Sequence, residues 1–115
     1  MKMHPEKELI LPVVGIDKEP ARLDWVNGLL QRAEAGEQFS IPVYAQREPD
    51  NEWDPNAIAV FLGEQKVGYV PKSWHEVLSC KMPQIFTQHT TPASIHSWGR
   101  SSTGKIFLEV SVYGE

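Results

Sequence analysis

A ten-residue polar segment between two strand-like segments most constrains how this chain can fold. Residues 47–56 read REPDNEWDPN and contain two prolines, Pro49 and Pro55. Proline fixes φ and donates no backbone hydrogen bond, while Asp and Asn side chains favour turns by bonding to nearby backbone groups. The segment therefore predicts a stiff loop that interrupts a sheet and presents Trp53 between two acidic residues.

The residues around this loop predict a mainly β fold. Residues 39–46 alternate between apolar and polar and predict a half-buried strand, while the apolar residues 57–62 predict a buried strand. Short strands with tight turns favour a small, curled antiparallel barrel, OB-like or SH3-like, with about six strands and two short helices. The other predicted strands cover residues 9–16, 66–70, 93–100 and 106–113.

Two helices are predicted, each beginning at a proline. The first begins at Pro20 and ends near Gly36, and the second begins at Pro71. Gly28 lies inside the first helix, where glycine costs about 1 kcal/mol relative to alanine. Its presence there predicts a close packing contact that a side chain would prevent.

Length and composition indicate one domain, over residues 9–115, after a loose N-terminal segment at residues 1–8. The chain has 115 residues, of which 41% are hydrophobic, which suffices for a single core. Cys80 is the only cysteine and excludes an internal disulfide. No apolar run approaches the ~20 residues that span a bilayer, and the charged start lacks a signal-peptide core. We therefore expect a cytoplasmic protein without a membrane partner.

The charge is unevenly divided along the chain. The net charge is −4, which argues against coating duplex nucleic acid through bulk positive charge. Residues 1–64 carry six basic against twelve acidic side chains, whereas residues 65–105 carry five basic side chains and one acidic. The basic stretch predicts either a local anion-binding face or an ordinary set of solvated charges.

The sequence carries no pattern typical of catalysis or metal binding. It contains no glycine-rich phosphate loop, and its four histidines and Cys80 match no zinc-finger spacing. We expect a protein without enzymatic activity, cofactor or structural metal.

Two segments carry a recognisable pattern: residues 47–60 read REPDNEWDPNAIAV, and residues 67–71 read VGYVP. In order and spacing they resemble the pattern of the HIRAN domain family. Val14-Gly15 and Gly36-Glu37 also fit, and the resemblance covers roughly residues 9–80. It implies an OB-like barrel that holds the 3′ end of single-stranded DNA, as in fork-remodelling SWI/SNF-type ATPases.

The resemblance also implies residue roles. Trp53 would stack on the terminal base, and Asp54 would accept a hydrogen bond from the free 3′ hydroxyl. Tyr69 stands where end-binding members have a histidine and can still stack and donate a hydrogen bond. Residues 17–19, an acidic Asp-Lys-Glu turn, stand where those members have an arginine followed by an aromatic residue.

Several further residues are candidates, each with a structural alternative. Lys66 and Lys72 flank the strand that carries Tyr69 and would contact phosphate, or would be ordinary solvated lysines. Arg47 would contact the ligand or brace the loop through Glu48 or Asp50, and Trp53 itself could fold back over the barrel. The complete set of predicted nucleic-acid-binding residues is Trp53, Asp54, Tyr69, Lys66, Lys72, Arg47, Arg100 and Phe107.

Two functions are consistent with these features. The first is a non-enzymatic module that recognises single-stranded DNA at its 3′ hydroxyl end, in DNA repair or replication, with a helicase or repair protein as partner in trans. The second is a protein-interaction adaptor that docks a peptide or a repair partner through the Trp53 loop.

Overall fold

The structure is a computed structural model that describes residues 8–113, and it confirms the mainly β fold with six antiparallel strands and two helices. The helices are α1 (Pro20–Glu34) and α2 (His75–Lys81). The strands are β1 (Glu8–Pro12), β2 (Val43–Arg47), β3 (Ile58–Leu62), β4 (Gln65–Tyr69), β5 (Thr90–Arg100) and β6 (Ile106–Tyr113). Single 3₁₀ turns cover Ile16–Lys18, Lys72–Trp74 and Pro83–Phe86.

The strands form one sheet in the order β1-β6-β5-β2-β3-β4. The long β5 connects the two halves of the sheet, because its first residues pair with β2 and its later residues pair with β6. The register shifts between Ile95 and Ser97, at an irregularity of the kind that increases the local twist of a strand. The sheet therefore curls around β5.

The two edges of the curled sheet meet at a single point. The strands β1 and β4 share no ladder, so the sheet is not a closed barrel. Just beyond β1, Val14 and Tyr69 form an isolated antiparallel bridge with N···O distances of 2.8 and 2.9 Å. A Cβ atom at Gly68 would lie 2.5 Å from the carbonyl oxygen of Val14. Only glycine at this position lets the two edges approach so closely.

The core lies inside the curl and is completed by the helices. Fully buried apolar residues come from β1, β3, β4 and β6, among them Leu11, Val60 and Val110. Helix α1 contributes Val26, Leu29 and Leu30, whose spacing places them on one face of the helix. Burying each large aliphatic side chain contributes about 1.5–3 kcal/mol, so α1 is held by packing against the sheet.

The strand boundaries differ from those predicted at β1 and β2. β1 ends at Pro12 because the chain turns away at Gly15, whose φ of 84° favours glycine, into the 3₁₀ turn. β2 begins only at Val43, although Phe39 and Ile41 still pack against the core. Of the predicted loose N-terminal segment, residues 1–7 lie outside the described residues, and Glu8 is the first residue of β1.

The prediction of a close packing contact at Gly28 is wrong. A Cβ atom at this position would meet no atom of the rest of the fold within 4 Å, because the residue faces away from the sheet beside Trp25 and Arg32. Neither helix in the described part of the chain is long and apolar enough to cross a membrane.

Alanine substitutions at two glycines are expected to act in opposite directions. Gly68→Ala should lower the free energy of unfolding by about 1–3 kcal/mol, because its Cβ atom would press on the Val14 backbone. Gly28→Ala should raise it by about 0.4–1 kcal/mol, because alanine loses less conformational entropy in a helix. Urea denaturation measures both. A Gly68→Ala protein as stable as the wild type would show that the edges need no such close approach.

Candidate functional site

A cleft of about 300 Å³ lies where the 47–56 loop meets the two edges of the sheet. Val14 and Tyr69, the two residues of the edge bridge, both line it. The loop, the end of β4 and the start of α2 supply the remaining walls. The residues that bring chemistry to it are Trp53, Asp54, Tyr69, Lys72 and His75.

Trp53 stands on the rim of this cleft with 87% of its surface exposed. It does not fold back over the barrel, which removes that alternative. The Oδ1 atom of Asn51 accepts the backbone N–H groups of Trp53 and Asp54, at 2.8 and 2.9 Å. These two bonds, with Pro49 and Pro55 on either side, hold the indole outward on a rigid loop.

Asp54 uses one of its two carboxylate oxygens inside the loop. Its Oδ1 atom accepts the backbone N–H of Asn56 at 2.9 Å, and its carbonyl oxygen accepts that of Ala57 at 3.0 Å. The Oδ2 atom has no hydrogen-bond partner within residues 8–113. Asp54 therefore presents an oriented acceptor beside the indole of Trp53.

Glu48 is the shared acceptor that joins the loop to β4. Its Oε1 atom accepts the Tyr69 hydroxyl at 2.8 Å and the Asn51 amide at 3.0 Å, and its Oε2 atom lies 2.6 Å from Lys66 Nζ. Lys66 also donates to the Tyr69 hydroxyl at 3.0 Å. Through these contacts one half-buried carboxylate sets the position of both Asn51 and the Tyr69 ring.

The contacts of Glu48 and Lys66 determine the ionisation of both side chains. Burial raises the pKa of Glu48, but hydrogen bonds from Lys66, Asn51 and Tyr69 outweigh it, and the pKa lies below its ordinary value. Burial lowers the pKa of Lys66, but its hydrogen bonds with Glu48 and Tyr69 outweigh this effect, and the pKa lies above its ordinary value. Both groups therefore stay charged across the neutral range.

Four of the eight predicted residues line the cleft together: Trp53, Asp54, Tyr69 and Lys72. Lys66 lies behind them and is occupied by Glu48. Sequence reasoning indicated that the Asn and Asp side chains of this loop form turns, but it missed Glu48 as a residue that shapes the site. Glu48 stands three residues before Asn51, in a turn closed by an N–H···O bond of 3.0 Å between their backbones, and this spacing could have indicated it.

The other three predicted residues lie outside the cleft. Arg47 Nη1 donates to the carbonyl oxygen of Phe86 at 2.8 Å, so it braces the fold, although not through the acids predicted. Arg100 donates to both carboxylate oxygens of Glu34, at 3.1 and 3.2 Å. Phe107 lies on β6 with its ring against Gly99.

A second cleft, of about 470 Å³, contains Arg100 and lies between α1 and the β5–β6 turn. Asp17 of the acidic turn and Lys105 line it and lie 3.4 Å apart. Val14 lines both clefts, so it forms the ridge that separates them.

His75 was not singled out by the sequence but lines the Trp53 cleft. Its ring packs edge-on against Phe86, with centroids 5.7 Å apart. Its Nε2 atom is buried without a hydrogen-bond partner in the described part of the chain. No local pattern places a histidine at the first turn of α2 in this cleft, because the packing of α2 alone decides it.

The Glu48 contacts predict a loss of stability in acid. Folding lowers the pKa of this carboxyl, so its contacts stabilise the protein fully when the pH is above the pKa in the unfolded chain, about 4.3. That contribution is lost as the pH falls through the pKa in the folded protein. Urea denaturation between pH 6 and pH 3 should show a steeper fall for the wild type than for Glu48→Gln.

The exposed Glu64, in the β3–β4 turn, offers a matched control. Glu64→Gln should retain the wild-type pH dependence. Identical pH profiles for the wild type and Glu48→Gln would contradict the role given to this carboxylate.

Comparison with protein families shows which family the chain resembles. The family model described as the HIRAN domain matches residues 30–90, just over half of the chain. The matched region contains the 47–56 loop, β3, β4 and α2, and thus most of the cleft. The same comparisons find no matching curated protein and no matching solved structure.

Proposed function

The chain belongs to the HIRAN domain family, a family of nucleic-acid-binding modules, and from this premise we propose that its Trp53 cleft binds the 3′ end of single-stranded DNA. The observation that carries the proposal is the pairing of an exposed indole with an oriented carboxylate oxygen at the mouth of one cleft.

Trp53 provides the stacking surface. A large aromatic side chain that is 87% exposed gains little from the fold, yet its loop is held by the Asn51 bonds and two prolines. Stacking on a base is worth about 1–3 kcal/mol and accepts any base, because every base has a π face. Since the loop is already rigid, little conformational entropy is lost on binding.

Asp54 selects the chemistry of the end. Its Oδ2 atom can accept a hydrogen bond from a 3′ hydroxyl, whereas a terminal phosphate would bring like charges together. The exposed acids Asp50 and Glu52 on the same loop add to that repulsion. An unphosphorylated 3′ end is therefore the ligand that this rim favours.

Tyr69 and Lys72 complete the cleft. The Tyr69 hydroxyl is already bonded to Glu48 and Lys66, so the residue offers its ring as a wall rather than its hydroxyl as a donor. Lys72 is exposed at the cleft and can reach the phosphate on the 5′ side of the terminal nucleoside.

In this proposal the module acts by binding alone and serves DNA repair or replication, with a helicase or repair protein supplying motor activity in trans. The cytoplasm is the proposed compartment. Support comes from the family resemblance at residues 47–60 and 67–71, which carry the binding loop and Tyr69.

The adaptor function is a second candidate, favoured by one observation. The exposed indole of Trp53 shares its loop with three acidic residues, Asp50, Glu52 and Asp54. An aromatic side chain among acids also suits a basic peptide, through apolar contact and charge attraction.

Replacement of Trp53 tests the stacking role. Trp53→Ala should weaken binding of a short 3′-hydroxyl oligonucleotide by about 5- to 150-fold, the equivalent of one stacked base. The free energy of unfolding should change by less than about 0.5 kcal/mol, because the side chain is exposed. Fluorescence anisotropy of a labelled oligonucleotide measures the affinity.

Trp25, on α1 away from the cleft, serves as the control, and Trp25→Phe should bind like the wild type. Retained affinity in Trp53→Ala would refute the stacking role. Binding of a basic peptide together with no binding of any oligonucleotide would favour the adaptor.

Replacement of Asp54 tests end selection. The wild type should bind an oligonucleotide with a 3′ hydroxyl more tightly than the same oligonucleotide with a 3′ phosphate, by at least about tenfold (1.4 kcal/mol). Asp54→Asn should lose most of that preference, since it removes the charge that repels phosphate. Equal affinity of the wild type for both ends would refute the role of Asp54 while leaving stacking by Trp53 intact.

A further inference from the structure

Lys66 and Arg47, two predicted contact residues that do not line the cleft, are already held by other groups of the protein. Lys66 Nζ lies 2.6 Å from Glu48 and donates to the Tyr69 hydroxyl at 3.0 Å. Arg47 donates to the carbonyl oxygen of Phe86 at 2.8 Å. Neither can meet a phosphate without breaking a contact that holds the loop or the fold.

The basic residues of the second cleft are neutralised as well. Arg100 makes two bonds to Glu34, and Lys105 lies 3.4 Å from Asp17. Exposed pairs of this kind are weak and could separate. The released carboxylate would nevertheless stay beside the incoming phosphate and oppose it, so each pair offers little net attraction.

Lys72 is the exception among the basic residues around the two clefts. It is exposed and lines the Trp53 cleft, and its side chain forms no ion pair or hydrogen bond within residues 8–113. The 47–56 loop, which lines the same cleft, carries the acids Asp50, Glu52 and Asp54. A strand that left the cleft along this loop would meet repulsion at each successive phosphate.

Resting on the proposed function, we infer that the cleft takes one terminal nucleoside and a single phosphate, held by Lys72, so that affinity is independent of strand length and falls with salt only as one phosphate contact requires. The ligand class is then any single-stranded 3′ end, including a dinucleotide. The stacked base and the hydroxyl supply the affinity, and the protein does not follow the phosphate backbone.

Salt dependence distinguishes this mode from binding along a strand. On single strands, each phosphate contact contributes about −0.7 to the slope of log affinity against log salt. One contact weakens binding about threefold between 50 and 300 mM salt, whereas four contacts weaken it about 150-fold.

Titration of oligothymidylates of 2, 4, 8 and 16 nucleotides, each with a free 3′ hydroxyl, tests the inference across that salt range. We expect affinities equal within about threefold and slopes near −0.7. A tenfold or greater gain with length, or a slope steeper than about −2, would overturn the inference and leave end binding in place. Absence of binding to every oligonucleotide at 50 mM salt would overturn the proposed function as well.

Two matched variants test which side chain is responsible for the slope of log affinity against log salt. Lys72→Gln should reduce it to near zero, while Arg100→Gln should leave it unchanged. The opposite result, a slope removed by Arg100→Gln and kept by Lys72→Gln, would mean that the strand passes over Val14 into the second cleft and would overturn the inference.

Discussion

The bridge between Val14 and Tyr69 is the contact on which the rest of the structure depends. It joins the two edges of a curled sheet that shares no ladder at that point, and Gly68 makes it possible by carrying no side chain. Because both bridge residues also line the Trp53 cleft, the contact that brings the sheet edges together also forms the wall of the site. Fold and site are therefore built from the same hydrogen bonds.

Glu48 performs the corresponding task for the loop. A half-buried carboxylate must be paired to be tolerated, and its partners here are Lys66, Asn51 and Tyr69. The same contacts fix the turn from which Trp53 projects. They also occupy a lysine next to the site, which leaves the cleft with little positive charge. A single requirement, satisfying one carboxylate, thus shapes both the rigidity and the electrostatics of the cleft.

Much of the fold and part of the site could be predicted from local pattern. Period-two alternation indicated the strands because it reflects burial of one face. Proline and Asx chemistry indicated a stiff loop that presents Trp53, which is 87% exposed. The roles of Lys66, Arg47 and Arg100 could not be inferred, because Glu48, Phe86 and Glu34 reach them only in the folded chain. Phe107 lies exposed on β6, and only the curl of the sheet decides that it stands outside the cleft.

The sequence by itself determined the strand order along the chain, the rigid acidic loop and the family to which residues 30–90 belong. These are local properties, since alternation, turn chemistry and a continuous motif are all read over a few neighbouring residues. Only the tertiary structure decided which side chains share the cleft and which cations remain available to a ligand. Those outcomes depend on ion pairs and a sheet-edge bridge between residues as far apart as Glu34 and Arg100 or Val14 and Tyr69. No local sequence pattern predicts such pairs, because both kinds of contact depend on which residues lie close together in the folded chain.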